Sequence, residues 1–264
     1  TTSSDYKTIT KVAGAWATGG SLNTARLALG GAGTQTAGLA FGGGPPEVAI
    51  SEEYNGSAWA EGDDLNQERR MLAGAGTQTA GLAFAGTTPG NTDETETYDG
   101  SSWTEVGDLN TARRELTGCG IQTAALAIDG QVTASVAIVE NYNGTSWTEV
   151  GDTNTARSEQ PGGFGITTAA IVAGGTIPPV TDNVESYDGS SWTEINNTNA
   201  PRTNLTAAGI QTAGMIFGNY PASGITELFD GTSWTEVADL STARNGLAGA
   251  GTLNSALAMG GANP

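Results

Sequence analysis

Histidine is absent from the chain, and that one absence removes much of enzyme chemistry. A Ser-His-Asp triad, a histidine general base and His-ligated zinc or copper all need an imidazole. Cysteine is almost absent too. Cys119 stands alone, so no internal disulfide can form and thiol usage says nothing about redox compartment. Basic residues number 10 against 28 acidic ones, for a formal charge of −18. Nucleic acid binding needs a basic face, which this composition does not supply. No apolar run approaches the ~18 residues of a membrane-spanning helix, so no membrane insertion is expected. The opening residues, TTSSDYK, carry neither an initiator Met nor a signal pattern and read as the start of a processed chain or of a piece of a larger one.

Glycine is abundant instead, at 40 of 264 residues. Each glycine inside a helix costs about 1 kcal/mol relative to alanine, so long helices are disfavoured. Thr, Val, Ile, Tyr and Trp fall in short runs between the glycines, which is the pattern of many short strands. The acidic balance suits a soluble protein in a salty or extracellular setting, where screening weakens self-repulsion.

The chain repeats itself. Trp16, Trp59, Trp103, Trp147, Trp192 and Trp234 are spaced by 43, 44, 44, 45 and 42 residues. Ten residues after each Trp comes an arginine: Arg26, Arg69, Arg113, Arg157, Arg202 and Arg244. Five residues before the last five tryptophans stand Tyr54, Tyr98, Tyr142, Tyr187 and Phe229, and two before those Glu52, Glu96, Glu140, Glu185 and Glu227. A small-residue pair or near-pair follows each arginine, from Gly42-Gly43 to Gly260-Gly261. GAGTQTAGLAF occurs letter for letter at 31–41 and 74–84. Each unit reads as four strands: one opened by the arginine, one ended by the small pair, one carrying Glu-x-Tyr and one carrying Trp. YDG and YNG mark a hairpin turn between the last two, and GTQT a turn between the first two.

An arginine opening strand one, a diglycine ending strand two, Glu-x-Tyr-Asp in strand three and Trp in strand four resemble the kelch repeat over essentially the whole chain. The wording NGTSWTEV, DLNTAR and GAGTQTAGLAFGG is also similar to kelch-like proteins of marine tailed phages. The resemblance implies a β-propeller with an appendage or surface-binding role and no known chemistry. The expected fold is a single all-β, six-bladed propeller over 1–264, four antiparallel strands per blade. Its blades would cover about 21–63, 64–107, 108–151, 152–196 and 197–238, with a sixth closed by N- and C-terminal strands from 239–264 and 1–20. DYKTITKV before Trp16 would be its third strand, although Ile9 and Lys11 stand where the other units have Glu and Tyr.

Each repeated residue has a scaffold reading and a functional one. A Trp in every unit suits blade packing better than sugar stacking. The repeated arginines and glutamates are expected to pair across strand two, because a buried charge needs a partner; the alternative is an arginine anion site near the axis. Glu61, Glu105, Glu149, Glu194 and Glu236, two residues after their Trp, read as solvated edge positions, since a glycosidase acid–base pair should occur once. SYDGSSW at 186–192 falls one residue short of a sialidase Asp box, and the copper chemistry of galactose oxidases needs histidines. DETE at 93–96 lacks the spacing of a calcium loop. No cofactor or metal is expected.

The segments between strands two and three differ in every unit: GPPEVAIS, TTPGNTDET, QVTASVAIV, TIPPVTDNV and YPASGIT. In this topology they share one face with the DLNTAR connections, and variable loops on a fixed ring are how repeat proteins build binding sites. Arg70 and Arg114 lack counterparts in the other units. With Glu47, Asp93, Asp182 and Tyr220 they are the candidate ligand-binding residues. The expected function is non-enzymatic recognition of a protein or glycan ligand, in a virion appendage beside other virion proteins or in an extracellular surface assembly. The alternatives are a propeller lectin with repeated glycan sites and a His-free polysaccharide-active enzyme.

Overall fold

A computed structural model describes residues 15–262. It contains strands and turns but no helix. Five sheets each have four antiparallel strands in sequential order. In blade one these are Gly30–Thr34, Ala37–Phe41, Ser51–Tyr54 and Trp59–Glu61, and in blade two Ala73–Thr77, Ala80–Phe84, Thr95–Tyr98 and Trp103–Glu105. Blade three is built from Thr117–Ile121, Ala124–Ile128, Val139–Tyr142 and Trp147–Glu149. Blade four is built from Gly162–Ile166, Ala169–Ala173, Val184–Tyr187 and Trp192–Ile195, and blade five from Thr206–Ile210, Ala213–Phe217, Thr226–Phe229 and Trp234–Val237.

The blade count corrects the sequence expectation. Among the described residues there are five four-stranded blades, not six. The last segment forms only a hairpin of Ala248–Thr252 with Ser255–Met259, and its inner strand lies between those of blades five and one. The expected third strand around DYKTITKV lies outside the described residues. Trp16 is described and belongs to no strand, yet its indole packs on Phe217 at 4.9 Å and donates to Thr226 Oγ1 at 3.0 Å. A physical difference accompanies the count and is legible in the ion pairs. Arg244 has no carboxylate partner among the described residues, whereas each complete blade has one, and Ile9 stands where that glutamate would be.

Two features of the inner strands explain how the blades meet. The strands are made of small residues because they pack side by side around the axis. A Cβ on Gly31 would lie 2.5 Å from Met259 Cε, and one on Gly74 would lie 2.8 Å from the Gly31 carbonyl. The strands also begin later than the sequence implies, four residues after Arg26, Arg69, Arg113, Arg202 and Arg244. Ala28, Met71, Glu115, Gln160, Asn204 and Gly246 intervene with φ between 50° and 59°, which breaks the strand. These turns bond to one another in a closed circle. Met71 N donates to Ala28 O, Glu115 N to Met71 O and Gln160 N to Glu115 O; Asn204 N donates to Glu159 O, Gly246 N to Asn204 O and Ala28 N to Gly246 O. The collar therefore passes through the hairpin segment and completes the ring.

The outer strands form aromatic pairs. Tyr54, Tyr98, Tyr142, Tyr187 and Phe229 lie opposite Trp59, Trp103, Trp147, Trp192 and Trp234, with ring centroids 4.8–5.0 Å apart. Each indole is nearly buried, at 4–8 % exposure. Trp103 and Trp147 also reach the preceding blade, packing on Phe41 and Phe84 and donating to Ser51 Oγ and Thr95 Oγ1. This is the contact Trp16 makes with Phe217 and Thr226. Glutamines of the inner hairpins add a second link. Gln122 Nε2 donates to Gly81 O and Tyr98 O of the preceding blade, and Gln78 makes the same pair of bonds to Gly38 O and Tyr54 O.

Candidate recognition face

The end of the ring where the inner strands begin carries the variable loops, and a buried charged layer lies beneath them. Arg26 pairs with Glu52, Arg69 with Glu96 at 2.6 Å, Arg113 with Glu140, Arg157 with Glu185 and Arg202 with Glu227. All ten side chains are at most 2 % exposed. An asparagine of the connection satisfies the second glutamate oxygen. Asn66 N and Nδ2 both donate to Glu96 Oε2 at 2.7 Å, and Asn110, Asn154 and Asn199 do the same for Glu140, Glu185 and Glu227. The same asparagines donate to the carbonyls of Trp103, Trp147, Trp192 and Trp234. Five of the six repeated arginines are thus consumed by the scaffold, and small residues of the inner strands line the axis between the blades. Arg244 differs: it is half-buried and donates to Gly260 O.

One blade carries an extra buried acid. Asp129 occupies the place of Gly42 and Gly174 and is fully buried. Thr153 Oγ1 donates to its Oδ1 at 2.5 Å, and Arg157 Nε lies 3.2 Å from its Oδ2. Arg157 therefore serves two carboxylates, Asp129 and Glu185. Burial pushes the Asp129 carboxyl up to about 8, against the opposing pull of Arg157 and Thr153.

Above this layer the loops are tied to one another. Arg70 and Glu47 form an ion pair at 2.8 Å that joins blade one's loop to the start of blade two, with both side chains partly exposed. Arg114 Nη1 donates to Asn91 Oδ1 of blade two's loop and its Nη2 to Gln131 Oε1 of its own. Asn91 Nδ2 then donates to Gln131 O and Val132 O. Farther round, Ser135 meets Ser158 at 2.8 Å, and Thr176 and Thr203 both donate to Glu159 Oε2. Asn219 Oδ1 accepts from Thr203 N. Side-chain links thus run from blade to blade.

The remaining candidate residues are dispersed around the same rim. Asp93 accepts from Leu109 N through its carbonyl, and Asp182 Oδ1 accepts from Asn197 Nδ2 at 3.2 Å. In DETE, Glu96 points into the scaffold, while burial raises the Glu94 carboxyl despite Arg69 at 3.7 Å. Tyr220 is 61 % exposed, the one aromatic ring left exposed among the described residues. The structure brings Arg70 to Glu47, but it does not gather Asp93, Asp182 and Tyr220 into one pocket with them. Asn91, Gln131, Glu159, Thr176 and Thr203 were missed by sequence reasoning. The one signal near them is the position after the repeated arginine, which reads Leu27, Arg70, Arg114, Ser158, Thr203 and Asn245: at Arg70, Arg114 and Ser158 its side chain reaches the loop of the preceding blade. Among the described residues, no group of three or more acidic or cysteine side chains is placed to hold a metal ion. Compared with known proteins, the chain matches no family model and no curated protein.

Proposed function

We propose that the chain is a non-enzymatic recognition module that binds a protein or a glycan through its loop face, as part of a virion appendage or another surface assembly. A β-propeller fold suits binding. The observation that carries the reading is the lateral tethering of the variable loops, through Glu47–Arg70, Asn91–Arg114–Gln131 and Thr176–Glu159–Thr203. Loops that differ in sequence yet are held to their neighbours present a preorganised surface, which lowers the ordering cost of binding. Tyr220 contributes an exposed aromatic ring and Arg114 a partly exposed cation, residue types much used at such surfaces.

The test is a screen of the intact protein against glycan and surface-protein arrays, followed by titration of any hit. Tyr220→Ala is expected to weaken binding at least tenfold with an unchanged melting curve. Arg114→Ala, which also removes the bridge between Asn91 and Gln131, is expected to weaken binding at least tenfold with a small loss of stability. One site per chain is expected. Binding at several equivalent sites that survives both substitutions would instead favour a repeated-site lectin, and release of new reducing ends from a polysaccharide would overturn the non-enzymatic reading.

A further inference from the structure

The opposite face of the ring carries a separate signal. Both hairpin turns of each blade lie there and touch. A Cβ on Gly144 would sit 3.5 Å from Thr123 Cβ, one on Gly189 3.4 Å from Thr168 Cβ and one on Gly231 3.6 Å from Thr212 Cβ. The inner strands end, in chain order, at Thr34, Thr77, Ile121, Ile166, Ile210 and Thr252. The three isoleucines fall in consecutive blades and are 54 %, 52 % and 57 % exposed. Among the described residues they are three of the four large apolar side chains left exposed, the fourth being Tyr220 on the other face.

Isolated exposed isoleucines need no explanation, but three at one repeat position on adjacent blades do. The turn does not require them, because threonine fills the same place in the other three units. Each is more than half exposed, and the inner strands that carry them pack side by side in consecutive blades, which sets the three in one arc on this face. The outer turns beside them carry Asp188 in blade four and Asp230 in blade five, both exposed. Hydrogen bonds from Ser190 and Ser191, and from Thr232 and Ser233, hold these carboxyls below the usual range, so they remain charged. The arginines all precede inner strands and therefore belong to the other end. The patch is an apolar arc with an acidic rim and no arginine beside it.

We infer that Ile121, Ile166 and Ile210 form a second docking surface, for a cationic amphipathic segment of a partner protein. Charge complementarity selects this occupant. A second copy would bring like-charged rims together in a chain of net charge −18, and an anionic lipid surface would be repelled in the same way. The apolar side of the segment covers the isoleucines while its basic residues meet Asp188 and Asp230.

The experiment uses the full chain and two labelled synthetic peptides of equal charge and length, one a Leu/Lys amphipathic repeat and one a Ser/Lys repeat. Fluorescence anisotropy is expected to show at least tenfold tighter binding of the Leu/Lys peptide. The triple variant Ile121→Thr/Ile166→Thr/Ile210→Thr should bind both peptides equally. It takes residues the fold already uses at this position, so its circular dichroism melt should match the parent. Asp188→Asn/Asp230→Asn should weaken the Leu/Lys complex and flatten its salt dependence. Equal binding of the two peptides, or a triple variant that keeps the preference, overturns the inference. So does self-association of the parent chain that the triple variant abolishes without any peptide preference. Loss of loop-face binding leaves this result untouched, because the two surfaces share no residue.

Discussion

Asp129 puts a second carboxylate on Arg157, and the consequence is a pH dependence of known sign. Its carboxyl lies near 8 in the folded chain and near 3.8 when exposed. Between those values the folded state holds more protons than the unfolded one. Stability is therefore greatest at the acid side of that window and falls as pH rises towards 8. Asp129→Asn keeps a residue that tolerates the left-handed backbone at φ 61° and removes the titration. Thermal melts should show the variant a few degrees more stable at pH 8.5 and less sensitive to pH between 5 and 8.5. A parent and variant with parallel pH profiles would show that Asp129 does not titrate there. The repeated ion pairs behave differently. Glu140→Ala strands Arg113 in a dry interior without its partner, at a cost of about 3–5 kcal/mol. Arg244→Ala, half-buried with one carbonyl partner, should cost under about 1 kcal/mol, and denaturant titration of the two variants reads the difference.

At the scale of strands and turns, legibility followed repetition. Arg113, Glu140, Tyr142 and Trp147 recur at fixed offsets, so the four-strand unit could be read without coordinates. The collar could not. It is built by backbone groups of Ala28, Met71, Glu115, Gln160, Asn204 and Gly246, whose side chains share nothing, so no composition marks them. The arginine was read as opening the inner strand because nothing in RRM or RRE announces a left-handed turn two residues later. The glutamine of GTQT was read as turn filler, although it clamps one blade to the next. Gln122→Ala should cost about 1–2 kcal/mol, because Gly81 O and Tyr98 O both lose their donor. Blade four, with Thr167 at that position, and the closing hairpin, with Leu253, show that the ring tolerates missing clamps, so a denaturation midpoint unmoved by the substitution would assign the clamp no energetic role.

Across the whole molecule, ring closure depends on a segment that is not a full blade. The loop face and its candidate residues were legible only as variation, because one chain shows where units differ but not which differences touch. The blade count was misread because arithmetic on the repeat treats the two ends as a matched pair. Closure instead rests on the inner strand Ala248–Thr252 between blades five and one, on Gly246 in the collar, and on Trp16 against Phe217. Each of these joins neighbours at the seam of the ring, so their loss should cost cooperativity as well as stability. Removing residues 246–262 would leave five blades with two free flanks, Ala28 N and Asn204 O without their collar partners, and inner strands exposed as edges. The truncated chain is expected to melt over a broader range, at least ten degrees lower, and to associate at micromolar concentration. Trp16→Ala should act in the same direction but more weakly, since the hairpin and the collar remain. A truncated chain that melts as sharply as the parent would show that five blades close on their own and that the hairpin is an appendage to the ring.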